Sequence, residues 1–435
     1  MKKTANKDIG SFDSLYILVC SVLSSVPDIR KDNSSYQLSD MLKTGFAMFS
    51  LKCPSLLNFM GRTKAEDSNL KSIYKIGSTG SENGLRKTLD NVSPMSLSRG
   101  FKKLWNRLRN LGILKEYCYW NDYLIISVDG VEHYCSNKIS CKHCLERKVG
   151  KNGKGFFHSM LSAVLVHPEE KEVFVIGNEP IVREDGAKKN DCERTAGKRL
   201  LTALEKSYSK ETFLFVMDAL YSCAPIIRAI TKDVKKRWQY IINIKPKGNV
   251  VLFSQFENRK KRGRISYLEI KEQLITHCFS YTNNLPLNSS NSDIRVNMLY
   301  YQQFKNGQLE KTFSWITAIK LSKANVYKVM KMGRSRWKIE NETFNTLKNQ
   351  GYHFEHNYGH GKNNLCTIFS LLMMLAFSVD QIQQHSCNHF QKIRNKLKTK
   401  VKLWENLRAT FKILPFKSME MLFFKIAELN DVQLE

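Results

Sequence analysis

The sequence predicts an α/β protein: a mixed sheet with flanking helices, preceded by a helical N-terminal region and interrupted by a β-rich insertion. Three observations predict it. Between 116 and 245, β-branched apolar runs alternate with amphipathic helical stretches, the rhythm of an α/β sheet. Two of those runs end on an aspartate, Asp129 and Asp218, and open α/β sheets carry their sites at the C-terminal ends of strands. From 246 to 330 the rhythm gives way to a series of short strand-like runs.

The 435 residues exceed what one small core organises and divide into five stretches. Residues 1–115 read as helical, with candidate helices Ser11–Val26, Gln37–Leu51 and Met95–Leu111. The last follows Ser93-Pro94, a helix-start pair. It carries Phe101, Leu104, Trp105, Leu108 and Leu111 on one face, and Lys102, Lys103, Arg107 and Arg109 around the rest. That basic surface suits phosphates or a groove, or else plain solvent. Met1–Lys7 and the apolar Leu15–Val26 resemble a signal sequence, but Ser11, Asp13 and Asp28–Arg30 flank the run without a cleavage site, so an amphipathic helix is expected.

Residues 116–245 open with YLIISVD (Tyr123–Asp129), a strand that Gly130 is expected to break. Phe156–His167 and Glu172–Ile176 follow as strands in a meander. Asp191–Tyr208 is helical, Thr212–Met217 a strand leading into Asp218, Ala224–Ile230 a helix and Trp238–Ile244 a strand. In 246–330 the runs VVLFSQF, ISYLEI, HCFSYT, RVNMLYY and FSWITAI read as strands. They are separated by the basic RKKRGR (Arg259–Arg264) and the polar Asn283–Asp293.

In residues 331–385, a helix is expected from Ser335 to Gln350, ended by Gly351. Trp337, Phe344 and Leu347 form its apolar stripe, with Glu340 in the middle and Lys348 at the margin. A carboxylate on a buried face needs a partner, either a metal ion or Arg336 one turn earlier. Glu342 points the other way. Leu365–Val379 reads as a buried helix too short to span a bilayer. Residues 386–435 form a basic amphipathic tail, with Ile393, Leu397, Val401, Trp404 and Phe411 as its apolar face. It suits DNA, a second subunit or, less well, a membrane surface.

Composition narrows the partner. Lys+Arg 69 against Asp+Glu 40 gives a net charge of +29, an excess that a polyanion offsets, so nucleic acid is expected. Eleven scattered cysteines argue for a reducing compartment without a disulfide framework. HYCSNKISCKHC clusters His133, Cys135, Cys141, His143 and Cys144. Cys141 and Cys144 form one half of a zinc site, with Cys192 and His158 as expected distant partners; reduced cysteines packed near the sheet are the alternative. Asp129, Asp218 and Glu340 together are hard oxygen ligands for Mg²⁺ or Mn²⁺. Two such ions activate water and stabilise the leaving oxygen of a phosphodiester.

From about Asp28 to Gln381 the sequence resembles the DDE transposases of bacterial insertion sequences. The matching stretches are LIISVDG (124–130), FVMDALYS (215–222), RWKIENETFNTLKNQGYHFEHNYGHG (336–361) and KNDCERTAGKRL (189–200). The resemblance implies a ribonuclease H-like catalytic fold split by the insertion, with Asp129, Asp218 and Glu340 as ligands of two Mg²⁺ or Mn²⁺ ions. Arg336 and Lys348 would hold phosphates. Gly333 stands where the family signature has Tyr, and Lys348 comes one residue later than usual.

The implied activity is cleavage at terminal inverted repeats and joining of the freed 3′-hydroxyls to target DNA. The implied setting is a homodimer on paired double-stranded ends in the bacterial cytoplasm at the nucleoid, with no membrane partner. A catalytically inactive DNA-binding relic and another ribonuclease H-like nuclease are the competing readings.

Overall fold

The computed structural model describes residues 9–434 apart from 31–33, 151–152, 187–188, 234 and 236; the basic Met1–Lys7 segment lies outside the described residues. Helices come first: α1 Phe12–Leu23, α2 Leu38–Ser50, α3 Leu56–Arg62, α4 Asp67–Ser72, α5 Glu82–Asp90, α6 Pro94–Asn110 and α7 Ile113–Glu116. Ser11 caps α1 through its side chain, and Leu15, Tyr16, Val19, Val22 and Leu23 form its buried stripe. On α6 Phe101, Leu104, Trp105 and Leu108 of the expected apolar face are buried, while Leu111 is the half-buried C-cap residue. Its basic face turns to the chain itself: Lys102 lies over the Tyr208 ring, Lys103 donates to Ser21, Arg107 to Ser14 and Ile9, and Arg109 pairs with Glu211.

The sheet follows: β1 Leu124–Ser136, β2 Leu145–Val149, β3 Gly153–Val166, β4 Phe174–Ile181, α8 Lys189–Ser207, β5 Phe213–Met217, α9 Ala224–Thr231 and β6 Gln239–Asn243. Next come α10 Val250–Lys261, β7 Ser266–Glu272, β8 Ile275–Asn288, β9 Asn291–Lys305 and β10 Gln308–Thr317. The ten strands form one mixed sheet in the order β2-β3-β1-β5-β6-β10-β9-β8-β7, with β4 also on β3. The pairs β1–β5 and β5–β6 are parallel, and the rest are antiparallel.

Two expectations are corrected here. Gly130 does not end β1: it pairs with Leu161, and the strand continues to Ser136. VVLFSQF is not a strand but the start of α10, which buries Leu252 and Phe256 at i, i+4 and leaves Val250 exposed. A short apolar run carries no period long enough to separate helix from strand. The β-rich stretch extends the same sheet, since β10 pairs with β6 through Thr317–Ile241 and its neighbours.

Past β10 the chain forms α11 Val326–Arg334, a π-helical segment Ile339–Phe344, α12 Asn345–Asn349 and α13 Leu365–Ser386. The tail adds α14 Asn388–Leu397, α15 Lys400–Ile413 and α16 Met419–Leu429. At 22 residues, α13 is longer than expected and long and apolar enough to cross a bilayer, yet its apolar window is buried inside the protein. α1, α2, α5, α6 and β4 pack on it.

The tail covers its own chain. Phe411 and Leu414 carbonyls accept from Asn69, and the Met419 and Glu420 amides donate to Asp13. Trp404 and Phe411 are buried as expected, whereas Val401 is exposed. A buried ion pair joins the three parts: Lys52 Nζ lies 2.6 Å from Asp380 Oδ2 on α13 and 3.9 Å above the Trp404 ring. Tyr352 donates to the same carboxylate at 2.7 Å.

Candidate functional site

Parallel pairing of β1 and β5 ends at Val128–Met217. The next residues, Asp129, which continues in β1, and Asp218, which follows β5, therefore come where the parallel pairing ends and line a common cleft. Asp218 caps the following turn by accepting the Leu220 amide at 2.9 Å. Asp129 Oδ1 accepts the Gly130 amide at 2.8 Å.

The third acid arrives by a different route than the sequence predicts. No single α-helix spans Ser335–Gln350. α11 ends at Arg334, the chain tightens through Lys338→Ser335 and Ile339→Arg336 amide bonds, and then widens into the π segment. The rotation shifts the stripe: Ile339, Thr343, Phe344 and Leu347 are buried, while Trp337 is 55% exposed. Wide helical turns of this kind gather at functional sites. Gly333 has a physical reason to lack a side chain, because a Cβ there would meet the Trp315 ring at 2.8 Å. The signature tyrosine has no room.

Ser127 on β1 donates to the Arg336 carbonyl at 3.0 Å and pins the segment to the sheet. The Arg336 guanidinium then bridges two acids, with Nη1 2.9 Å from Asp129 Oδ2 and Nη2 2.7 Å from Glu340 Oε1. The i, i+4 pair is thus formed, and it is also the link to Asp129. The Glu340 side chain remains 43% exposed. Burial pushes the Asp129 carboxyl up to about 7; Arg336 and the Gly130 amide oppose this, and Asp218 and Glu340 reinforce it. Glu342 acts electrostatically on Lys338 and Lys400 instead. Lys348 Nζ pairs with Glu355 at 2.9 Å.

Sequence reasoning missed Glu193 and Glu132, which line the cleft with Asp129 and Asp218, and Lys245 and Lys247 on its wall. Glu193 accepts from Tyr221 at 3.0 Å, and its Oε1 lies 3.5 Å from where a Cβ of Gly130 would sit. Its signal was the KNDCERTAGKRL stretch, which had no role attached. These carboxylates are hard oxygen donors, a set that fits Mg²⁺ or Mn²⁺.

A second cluster lies beyond the end of β1. Cys141, Cys144, His158 and His360 bring one ligand atom each within 4.8 Å of one another. Cys192 is not among them: its sulfur lies 3.4 Å from the Gly186 carbonyl and 3.7 Å from that of Arg183, and His360 takes the expected place. His143 pairs with Glu184, and Cys135 with Arg147. The hydrogen bond from Cys144 holds the Cys141 thiol down, with His158 and His360 adding to it. The same bond pushes Cys144 up.

The mixed sheet with flanking helices is a ribonuclease H-like fold, within which Arg336 ties Glu340 to Asp129. Residues 122–377, more than half the chain, match the family described as the transposase DDE domain, and the chain belongs to that family. It is a DDE transposase of an insertion sequence, a DNA-processing protein that uses divalent metal. No curated protein gives a significant match.

Proposed function

We propose that the protein binds the terminal inverted repeats of its element, cleaves the ends by metal-dependent phosphodiester hydrolysis and joins the 3′-hydroxyls to target DNA. Asp129, Asp218 and Glu340 would hold two Mg²⁺ or Mn²⁺ ions, which supply an activated water and stabilise the leaving oxygen. The observation that supports this reading is the Arg336 bridge between Asp129 and Glu340, which links the later acid to the first of the two aspartates.

Arg336 orients both carboxylates and has a third donor, Nε, buried without a partner. A phosphate oxygen would satisfy it. Lys245 and Lys247 place cationic charge along the same cleft. Two copies would act on paired ends at the nucleoid of a bacterial cytoplasm, and the net charge of +29 favours that polyanionic partner.

Asp129→Asn and Asp218→Asn test the reading on DNA that carries the element's ends. Cleavage is expected to fall by about 10³-fold or more, since a metal-stabilised transition state is worth several kcal/mol, while end binding stays within a few-fold. Cleavage at the parental rate in either variant would overturn the assignment. Cleavage without joining of 3′-ends in the parental protein would favour a ribonuclease H-like nuclease. Binding with no metal-dependent cleavage would favour a DNA-binding relic.

A further inference from the structure

We propose that Cys141, Cys144, His158 and His360 hold one structural zinc ion, which ties the loop after α12 to the strands that carry Asp129. The distances between the ligand atoms carry the inference. Zinc bonds of about 2.3 Å to sulfur and 2.0–2.1 Å to nitrogen in a tetrahedron put two sulfurs about 3.8 Å apart, two nitrogens about 3.3 Å apart and mixed pairs about 3.5 Å apart. Cys141 and Cys144 Sγ are 3.8 Å apart, and the Nε2 atoms of His158 and His360 are 3.2 Å apart. The mixed edges Cys141–His158, Cys144–His158 and Cys144–His360 are 3.4, 3.2 and 3.4 Å.

Surrounding contacts hold the ligands in position for a metal. The Cys141 amide donates to Cys144 Sγ at 3.3 Å, and the Cys144 amide donates to the Cys141 carbonyl at 3.2 Å, so the CxxC turn presents both sulfurs on one side. His360 Nδ1 lies 2.6 Å from the Gly361 carbonyl. A carbonyl only accepts, so Nδ1 carries the proton and the Nε2 lone pair faces the other three ligands. The loop is anchored independently: the Asp90 carboxylate accepts the amides of Lys362, Asn363, Asn364 and Leu365.

Four protein ligands leave no open position, which marks a structural rather than a catalytic zinc. Thiolate and imidazole select a softer ion than the oxygen cluster does. The ion would join the β1–β2 connection, β3 and the segment between α12 and α13, whose ends are far apart in sequence.

The full-length chain, purified without a metal-affinity step and dialysed, is the material for the test. Elemental analysis is expected to find about one zinc per chain. His360→Gln and Cys144→Ser are expected to fall below about a tenth of that, and Cys192→Ser to keep it. The parental chain reconstituted with Co²⁺ gives a readout that needs no variant to fold: strong visible bands of a four-coordinate sulfur–nitrogen site, with a thiolate charge-transfer band. A folded chain that takes up neither ion, a weak six-coordinate cobalt spectrum, or zinc lost in Cys192→Ser but kept in His360→Gln would each overturn the proposal. Neither readout uses DNA cleavage, and Asp129→Asn is expected to retain its zinc, so failure of the transposition reading is seen separately.

Discussion

Strand β1 feeds two clusters of opposite chemistry. At Asp129 it supplies a carboxylate to an open cleft whose donors are oxygens. Past its far end, the turn to β2 supplies Cys141 and Cys144 to a closed group of sulfurs and imidazoles. The same later stretch of chain completes both, with Arg336 and Glu340 at one and His360 at the other.

The difference lies in what each leaves unsatisfied. The oxygen cluster pairs Arg336 with two acids and keeps Glu340 partly in solvent. On the proposed function, such a group would bind cations exchangeably and leave room for a phosphate. The sulfur–nitrogen cluster has its four ligand atoms within 4.8 Å of one another, and the proposed zinc would leave it no vacant corner.

The sharpest way to break this comparison is to ask which acid completes the oxygen cluster. Glu340 is tied to Asp129 through Arg336, whereas Glu342 acts on Lys338 and Lys400. In Mg²⁺-dependent cleavage of end-bearing DNA, Glu340→Gln is expected to lose at least about a hundredfold, because each ~1.4 kcal/mol of lost metal stabilisation is a factor of ten. Glu342→Gln is expected to stay within a few-fold. The reverse result would hand the ligand to Glu342 and detach the Arg336 bridge from the chemistry.

How much of this was legible depends on the kind of signal. That Asp129 and Asp218 share one cleft was readable because β-branched runs announce strands and a parallel pair brings together the residues after its last rung. The presentation of Glu340 was not readable, since an α-helical wheel cannot foresee a π segment and so put Trp337 on the wrong side. Glu193 lies on a helix whose period shows only packing, and nothing local marks a residue that faces a cleft. His360 is separated from Cys144 by 216 positions. A CxxC offers two sulfurs without giving the spacing of any further ligands, so Cys192 was named by residue type alone.

A tenfold effect separates the clusters by pH. Burial raises the Asp129 carboxyl to about 7 in the folded chain, against about 3.9 when unfolded. Between those values the folded state keeps a proton that the unfolded state has lost, so this group's contribution to stability falls as pH rises from about 4 to 7. Asp129→Asn is expected to flatten that part of the stability curve. A cation must also displace the proton, so Mn²⁺ is expected to bind the carboxylate cleft about ten times more tightly at pH 8 than at pH 6, with proton release at the lower pH. Calorimetry in two buffers of different ionisation heat measures both quantities. An affinity that does not change across this range would mean that Asp129 is already ionised, and that Arg336 outweighs burial.

The smallest effect concerns Lys348, which the family resemblance makes a phosphate contact and which the fold pairs with Glu355 at 2.9 Å. Both side chains reach solvent, and exposed pairs are worth roughly 0.2–1 kcal/mol, so a phosphate can take the ammonium from Glu355 at small cost. Lys348→Ala is then expected to weaken DNA binding a few-fold and to lower the slope of log affinity against log salt by about one. Glu355→Gln frees the same ammonium and is expected to tighten binding by up to about fivefold at low salt, with the slope kept. Titrations of both variants at several salt concentrations distinguish the outcomes. A normal slope and affinity in Lys348→Ala would take this lysine out of the DNA interface and leave it as the partner of Glu355 alone. Intact binding with cleavage lost would instead put it beside the reacting phosphate, on the oxygen cluster's side of the molecule.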